Sequence, residues 1–166
     1  MLLDSLKKLI VKNRFLARAI RHKHCPADFY LTDNFYRGFR KEELDPGTDK
    51  LCANSIRFPD FSCNWNRFSK PADVRFRENG LPSDGCYSFT VENARYKEMA
   101  TTCHAPIFKN YAHVEVRQLL PNEDVLIEPP KGRKLKKERE GWSNSKKMEY
   151  RQNIIYHLII EIEPTA

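Results

Sequence analysis

Leu2, Leu3, Leu6, Leu9, Ile10, Leu16 and Ile20 recur close to helical spacing, and Lys and Arg fill the positions between them. The pattern predicts an amphipathic basic helix over residues 2–20, closed off by Pro26. Such a helix packs its leucine face on a core or offers it to a protein partner; basic helices that lie on membranes or fill calmodulin-type grooves share the pattern. Residues 29–82 are rich in aromatics and turn formers, with reversals marked at Asp45-Pro46-Gly47, Phe58-Pro59-Asp60 and Asn79-Gly80-Leu81-Pro82. Short extended pieces are expected over 31–37 and 55–58, and Pro71 can open a short helical turn.

Further along, Tyr87, Phe89 and Val91 alternate with Cys86, Ser88 and Thr90, the period-2 signature of a half-buried strand. Thr90 is suited to cap a helix over about residues 93–100, with Glu92 in its first turn. Residues 113–119 alternate again, Val114 and Val116 opposing His113, Glu115 and Arg117. Pro129 and Pro130 break regular structure ahead of a lysine-rich run with Leu135 as its one aliphatic residue, so an exposed loop or frayed helix is expected there. Ser143 or Ser145 can cap a short helix through Arg151. Over residues 153–163, Ile154, Tyr156, Leu158, Ile160 and Ile162 line one face, which predicts a central core strand whose removal unfolds the protein.

These elements predict an α+β fold: a mixed or antiparallel sheet with an N-terminal amphipathic helix and a C-terminal central strand. The 166 residues suit a single domain, read as a basic helix (1–24), a mildly acidic body (25–130), a basic loop or helix (131–151) and a core strand (153–163). Five cysteines, Cys25, Cys52, Cys63, Cys86 and Cys103, are odd in number and form no C-x-x-C pair, so reduced thiols are expected. With no apolar stretch near the length of a membrane span and no secretory leader pattern, a cytoplasmic protein is expected.

Charge changes the picture more than composition does. Residues 1–24 carry seven Lys/Arg against Asp4, a net +6, and residues 131–151 carry nine against three glutamates, again +6. The whole chain is +7, so the rest is −5, and a slightly acidic body bears two basic segments suited to nucleic acid or an acidic protein surface. The candidate nucleic-acid contacts are Lys131, Arg133, Lys134, Lys136, Lys137, Arg139, Lys146, Lys147 and Arg151, with Trp142 and Tyr150 as stacking groups. An accessory factor of a nucleoprotein complex, in prokaryotic genome defence, suits this size and charge.

A catalytic alternative rests on His113, Glu115 and Arg117, which a strand would project to one side, His113 and Glu115 serving as base and orienter or as two metal ligands; cross-strand ion pairs on a solvated face are the other reading. His22, His24 and Cys25 lie close together, and Cys103 adjoins His104, but the spacing is not that of a zinc site; neither a metal nor a cofactor is expected. No glycine-rich phosphate loop or nucleophile elbow is present.

Phe35-Tyr36-Arg37-Gly38 resembles the aromatic-Arg-Gly opening of the Arg-Ser-Glu mono-ADP-ribosyltransferases. The resemblance implies Arg37 as the NAD-phosphate ligand, Ser55 or Ser62 as the middle-strand serine, and Glu115 as the carboxylate stabilising the ribosyl cation, with His113 beside it. The family carries Glu or Gln two residues before that carboxylate, where this chain has His113. Phe35-Tyr36-Arg37, Ser55-Ile56-Arg57-Phe58, Ser88-Phe89-Thr90-Val91 and Ala112-His113 together also resemble a group of small uncharacterised bacterial proteins, a likeness that implies a domain and no activity.

Overall fold

The chain builds six strands: β1 (Asn34–Phe39), β2 (Asp60–Trp65), β3 (Gly85–Thr90), β4 (Ala100–His104), β5 (His113–Gln118) and β6 (Ile159–Ile162). Two α-helices join them, a single turn α1 (Val91–Ala94) and the longer α2 (Asn144–His157). This is a computed structural model, and it describes residues 23–48, 50–57, 60–75, 84–107, 110–130 and 142–164. The expected helix over 2–20 lies outside them. The strands form one sheet in the order β4-β5-β2-β1-β3-β6, with every neighbouring pair antiparallel.

Alternation in the central strands decides which face is buried. Phe35 pairs with Trp65 on one side and Phe89 on the other, and Phe61 pairs with Val116, so these large side chains share a face. Phe35, Phe61, Trp65, Phe89, Val114 and Val116 are at most 2% exposed. At about 1.5–3 kcal/mol for each large apolar side chain fully buried, this face supplies most of the drive to fold. Tyr150 and Ile154, one turn apart on α2, belong to the same cluster, and the buried Tyr150 hydroxyl donates to the Ala94 carbonyl. The fold is therefore an antiparallel sheet with helical cover on its apolar face.

Strands β3 and β5 lie where the alternation places them but are buried on both faces rather than one, and Thr90 caps α1, its Oγ1 accepting from the Asn93 N–H at 3.1 Å. The helix expected over 93–100 ends at Ala94, because Lys97 and Glu98 adopt left-handed backbone angles, with φ of 48° and 53°. The chain turns there and enters β4 instead. Nor does the first extended piece begin at Leu31: the Asp33 carboxylate accepts from the Tyr30 N–H at 3.0 Å, forming a turn that delays β1 to Asn34. Of the strand expected over 55–58, the described residues 55–57 are not extended into a strand. Ala53–Ser55 is a 3₁₀ turn closed by Ser55 Oγ donating to the Cys52 carbonyl, and the real strand, Asp60–Trp65, follows it.

The largest correction concerns the C-terminus. The helix capped by Ser143, whose Oγ accepts from the Lys146 N–H at 3.2 Å, does not stop at Arg151 but runs to His157. The expected core strand over 153–163 is reduced to the four residues of β6, and it lies at the sheet edge rather than the centre, with Ile159 63% exposed. Ile154 still faces the core, but from a helix.

Gly85 marks a close approach where β3 passes β1 and β6. A Cβ there would lie 2.4 Å from Phe39 Cζ and 2.7 Å from the Ile162 carbonyl oxygen. Gly85→Ala is expected to lower stability by about 1–3 kcal/mol by overpacking. A fall in the urea midpoint at constant m-value measures this; an unchanged midpoint contradicts it.

Candidate functional site

The polar residues of β5 point away from the apolar face, as their alternation requires. His113 pairs with Asn64, which in turn pairs with Tyr36, while Glu115 pairs with Ser62 and Cys103. The stripe is not the solvated ladder expected from its composition. His113 and Arg117 are each 4% exposed. One nitrogen of the His113 ring, Nδ1, lies 2.7 Å from the Ala105 carbonyl.

Arg117 is the centre of a buried ion cluster. Its Nε and Nη2 donate to Glu115 Oε2 at 2.8 and 2.5 Å, and its Nη1 donates to Glu128 Oε1 at 2.9 Å and to the Pro129 carbonyl at 3.2 Å. Lys23 pairs with the other Glu128 oxygen. Burial opposes the guanidinium charge, but the bonds to Glu115 and the neighbouring negative groups outweigh it and raise the Arg117 pKa. The cluster ties β5 to the chain just before the basic run and to Lys23, at the end of the N-terminal basic segment.

Arg37 does not join this group. It neighbours Tyr36, so strand alternation turns it to the opposite face from Glu115, and its guanidinium lies 4.4 Å from the centre of the Phe61 ring. Its Nη1 donates to the Ser62 carbonyl at 2.6 Å. Ser62 does sit opposite Glu115, whereas Ser55 is spent on its own 3₁₀ turn. Of the expected catalytic set, the sheet brings His113, Glu115 and Ser62 to one side and Arg37 to the other.

The basic region divides into described and undescribed parts. Lys131, Arg133, Lys134, Lys136, Lys137 and Arg139 lie outside the described residues. Lys146 is exposed and Lys147 half-buried on the first turns of α2. Arg151 anchors α2 to the loop before β2, its Nε donating to the Ile56 carbonyl at 2.9 Å. Trp142 and Tyr150, expected as stacking groups, are internal: Trp142 is 9% exposed, Tyr150 is fully buried, and their rings lie 5.0 Å apart. The run is thus held at both flanks, by the buried Pro129 below Arg117 and by Trp142 in the core.

His24 and His104 are structural in geometry. His104 Nδ1 accepts from the His24 N–H at 3.2 Å, and its Nε2 lies 2.7 Å from the Tyr111 carbonyl, so the neutral tautomer protonated at Nε2 fits both bonds. Burial, reinforced by His24, His113 and Lys23, pushes its pKa down to about 4, against the pull of the Tyr111 carbonyl. Cys63, Cys86 and Cys103 are unpaired and buried, and burial pushes each thiol up to about 12, so they are protonated and unreactive at neutral pH. Among the described residues no group of three or more His, Cys, Asp or Glu side chains is placed to hold a metal ion, and no helix is long and apolar enough to cross a membrane.

One surface feature has no precursor in the sequence reading. Tyr30 is 66% exposed, and the Arg67 guanidinium lies 5.8 Å from its ring centre and 4.8 Å from that of the buried Trp65. Nothing in the spacing of residues 30 and 67 signals this; the antiparallel pairing of β1 with β2 creates it. The chain matches no protein-family model, no curated protein and no solved structure.

Proposed function

We propose that the chain is a non-enzymatic accessory protein that binds nucleic acid, or docks in a nucleic-acid-handling complex, through the basic stretch of residues 131–151. The observation that carries this reading is the tethering of that stretch. The part of it between Pro129 and Trp142, six Lys/Arg against Glu138 and Glu140 for a net +4, is fastened at its start by Pro129 and at its end by Trp142. A segment tied at both ends has less freedom to lose on binding than a free tail. Lys146, exposed on the first turn of α2, extends the positive charge onto rigid structure. The reading has Lys and Arg neutralising phosphates, a contact that is strong at low salt and indifferent to sequence.

Fluorescence anisotropy with labelled single- and double-stranded oligonucleotides tests the proposal. If about six phosphates are neutralised, affinity is expected to fall about a thousandfold or more between about 50 and about 200 mM salt. Replacing Lys131, Arg133, Lys134 and Lys136 together by Gln should flatten that slope by about four. Absent or salt-independent binding defeats the reading.

A further inference from the structure

Recognition of unpaired bases requires exposed aromatic rings as well as cations. The aromatics nearest the basic run in sequence, Trp142 and Tyr150, are committed to the core. Among the described residues the exposed Phe, Tyr and Trp side chains are Tyr30, at 66%, and Tyr156, at 83%. Tyr156 has His157 edge-on at 4.9 Å and, among the described residues, no Lys or Arg over its ring. Tyr30 has Arg67 beside it, and no carboxylate among the described residues pairs with that guanidinium.

Backbone hydrogen bonds hold the turn that carries Arg67. Arg67 follows the last residue of β2 in a turn where the Asn66 N–H donates to the Asn34 carbonyl at 2.9 Å and the Phe68 N–H donates to the Trp65 carbonyl at 3.1 Å. On the other side, Tyr30 is held by its N–H bond to Asp33 and by the Asp33 N–H donating back to the Tyr30 carbonyl at 3.0 Å. The buried Trp65, the Arg67 guanidinium and the exposed Tyr30 form a row that runs from the core to the surface. The two residues ahead of Arg67 also bury polar atoms without partners, the donor Trp65 Nε1 and the acceptor Asn66 Oδ1. Leu31, 53% exposed, adds apolar surface beside Tyr30.

We infer that Tyr30 and Arg67 form a stacking site for one unpaired nucleobase, the tyrosine ring taking the base and the guanidinium the adjoining phosphate. This rests on the nucleic-acid reading above and makes it more specific, to single strands over duplex, since a paired base offers no free face to stack. A basic stretch alone supplies attraction without that preference.

The test compares a fluorescein-labelled oligothymidine of about fifteen nucleotides with a duplex of equal length, by anisotropy at two salt concentrations. Tyr30→Ala is expected to weaken single-strand binding about tenfold or more, with the salt slope and the duplex affinity unchanged. Tyr30→Phe should bind as the wild type does, because the ring and not the hydroxyl carries the contact. Arg67→Gln should weaken single-strand binding and lower its salt slope by about one. If Tyr30→Ala binds the single strand as tightly as the wild type, this site is refuted while general binding stands. If the wild-type chain binds neither oligonucleotide, both readings fall.

Discussion

Arg117→Met will cost the fold about 2–3 kcal/mol, because it removes a buried cation and leaves the half-buried Glu115 and Glu128 carboxylates without its donors, Glu128 keeping only Lys23. Arg117 is 4% exposed and satisfies three acceptors, Glu115, Glu128 and the Pro129 carbonyl. Methionine replaces the volume and none of the donors. Removing one member of a buried ion cluster is far more damaging than replacing the cluster as a whole, so Arg117→Met combined with Glu115→Gln should recover part of the loss. Urea denaturation of the wild type and both variants at neutral pH measures this. A single variant within about 1 kcal/mol of the wild type would mean that the cluster is stabilising in appearance only. The same variant frees the Pro129 carbonyl, so a loss of nucleic-acid affinity beyond that explained by unfolding would tie the anchoring of the basic stretch to its use.

The second large effect is acid lability centred on His104. Its side chain is fully buried, and its Nδ1 already accepts a backbone N–H from His24, so a proton on that nitrogen would face another donor. The unfolded chain binds this proton near the ordinary value of 6.5, the folded chain only near pH 4. The stability tied to a neutral His104 is therefore complete above about pH 6.5 and drains away as pH falls toward 4. At 1.36 kcal/mol per unit, the gap corresponds to about 3 kcal/mol. Unfolding free energies of the wild type and His104→Asn, measured from neutral pH to about 4, should converge as pH falls, since the variant lacks this titration. Parallel curves would show that another group governs the acid response.

How far the fold could be read in advance differs from element to element. Strands β3 and β5 were legible because their alternation is strict and the turn chemistry at Thr90 marks where β3 stops. The C-terminal region was not. Ile154, Leu158 and Ile162 satisfy both a strand period and a helix period, and the choice falls to long-range contacts: Tyr150 reaching the Ala94 carbonyl and Arg151 reaching Ile56. Strand β4 was hidden because nothing local marks Lys97 and Glu98 as left-handed; they close a turn whose ends are set by the pairing of β4 with β5.

The candidate site was partly legible for the same reason. Alternation correctly grouped His113, Glu115 and Arg117 on one face, but their burial comes from Ala105, Glu128 and Pro129, which no local pattern connects to β5. The expected convergence of Arg37 with Glu115 failed on parity. The pairing of Tyr36 with Asn64 and of Asn64 with His113 fixes Arg37 one residue out of phase. Trp142 and Tyr150 look like stacking groups in a basic context, yet aromatics of that size are the main material of a core built on a single sheet face.

Leu158 alone separates the last residue of α2 from the first of β6. With no slack between them, the border strand is coupled directly to the helix that plugs Tyr150 and Ile154 into the apolar face. Peeling the border away from β3 pulls on the final helical turn, so the carboxyl end of the chain is loosened or held as a unit.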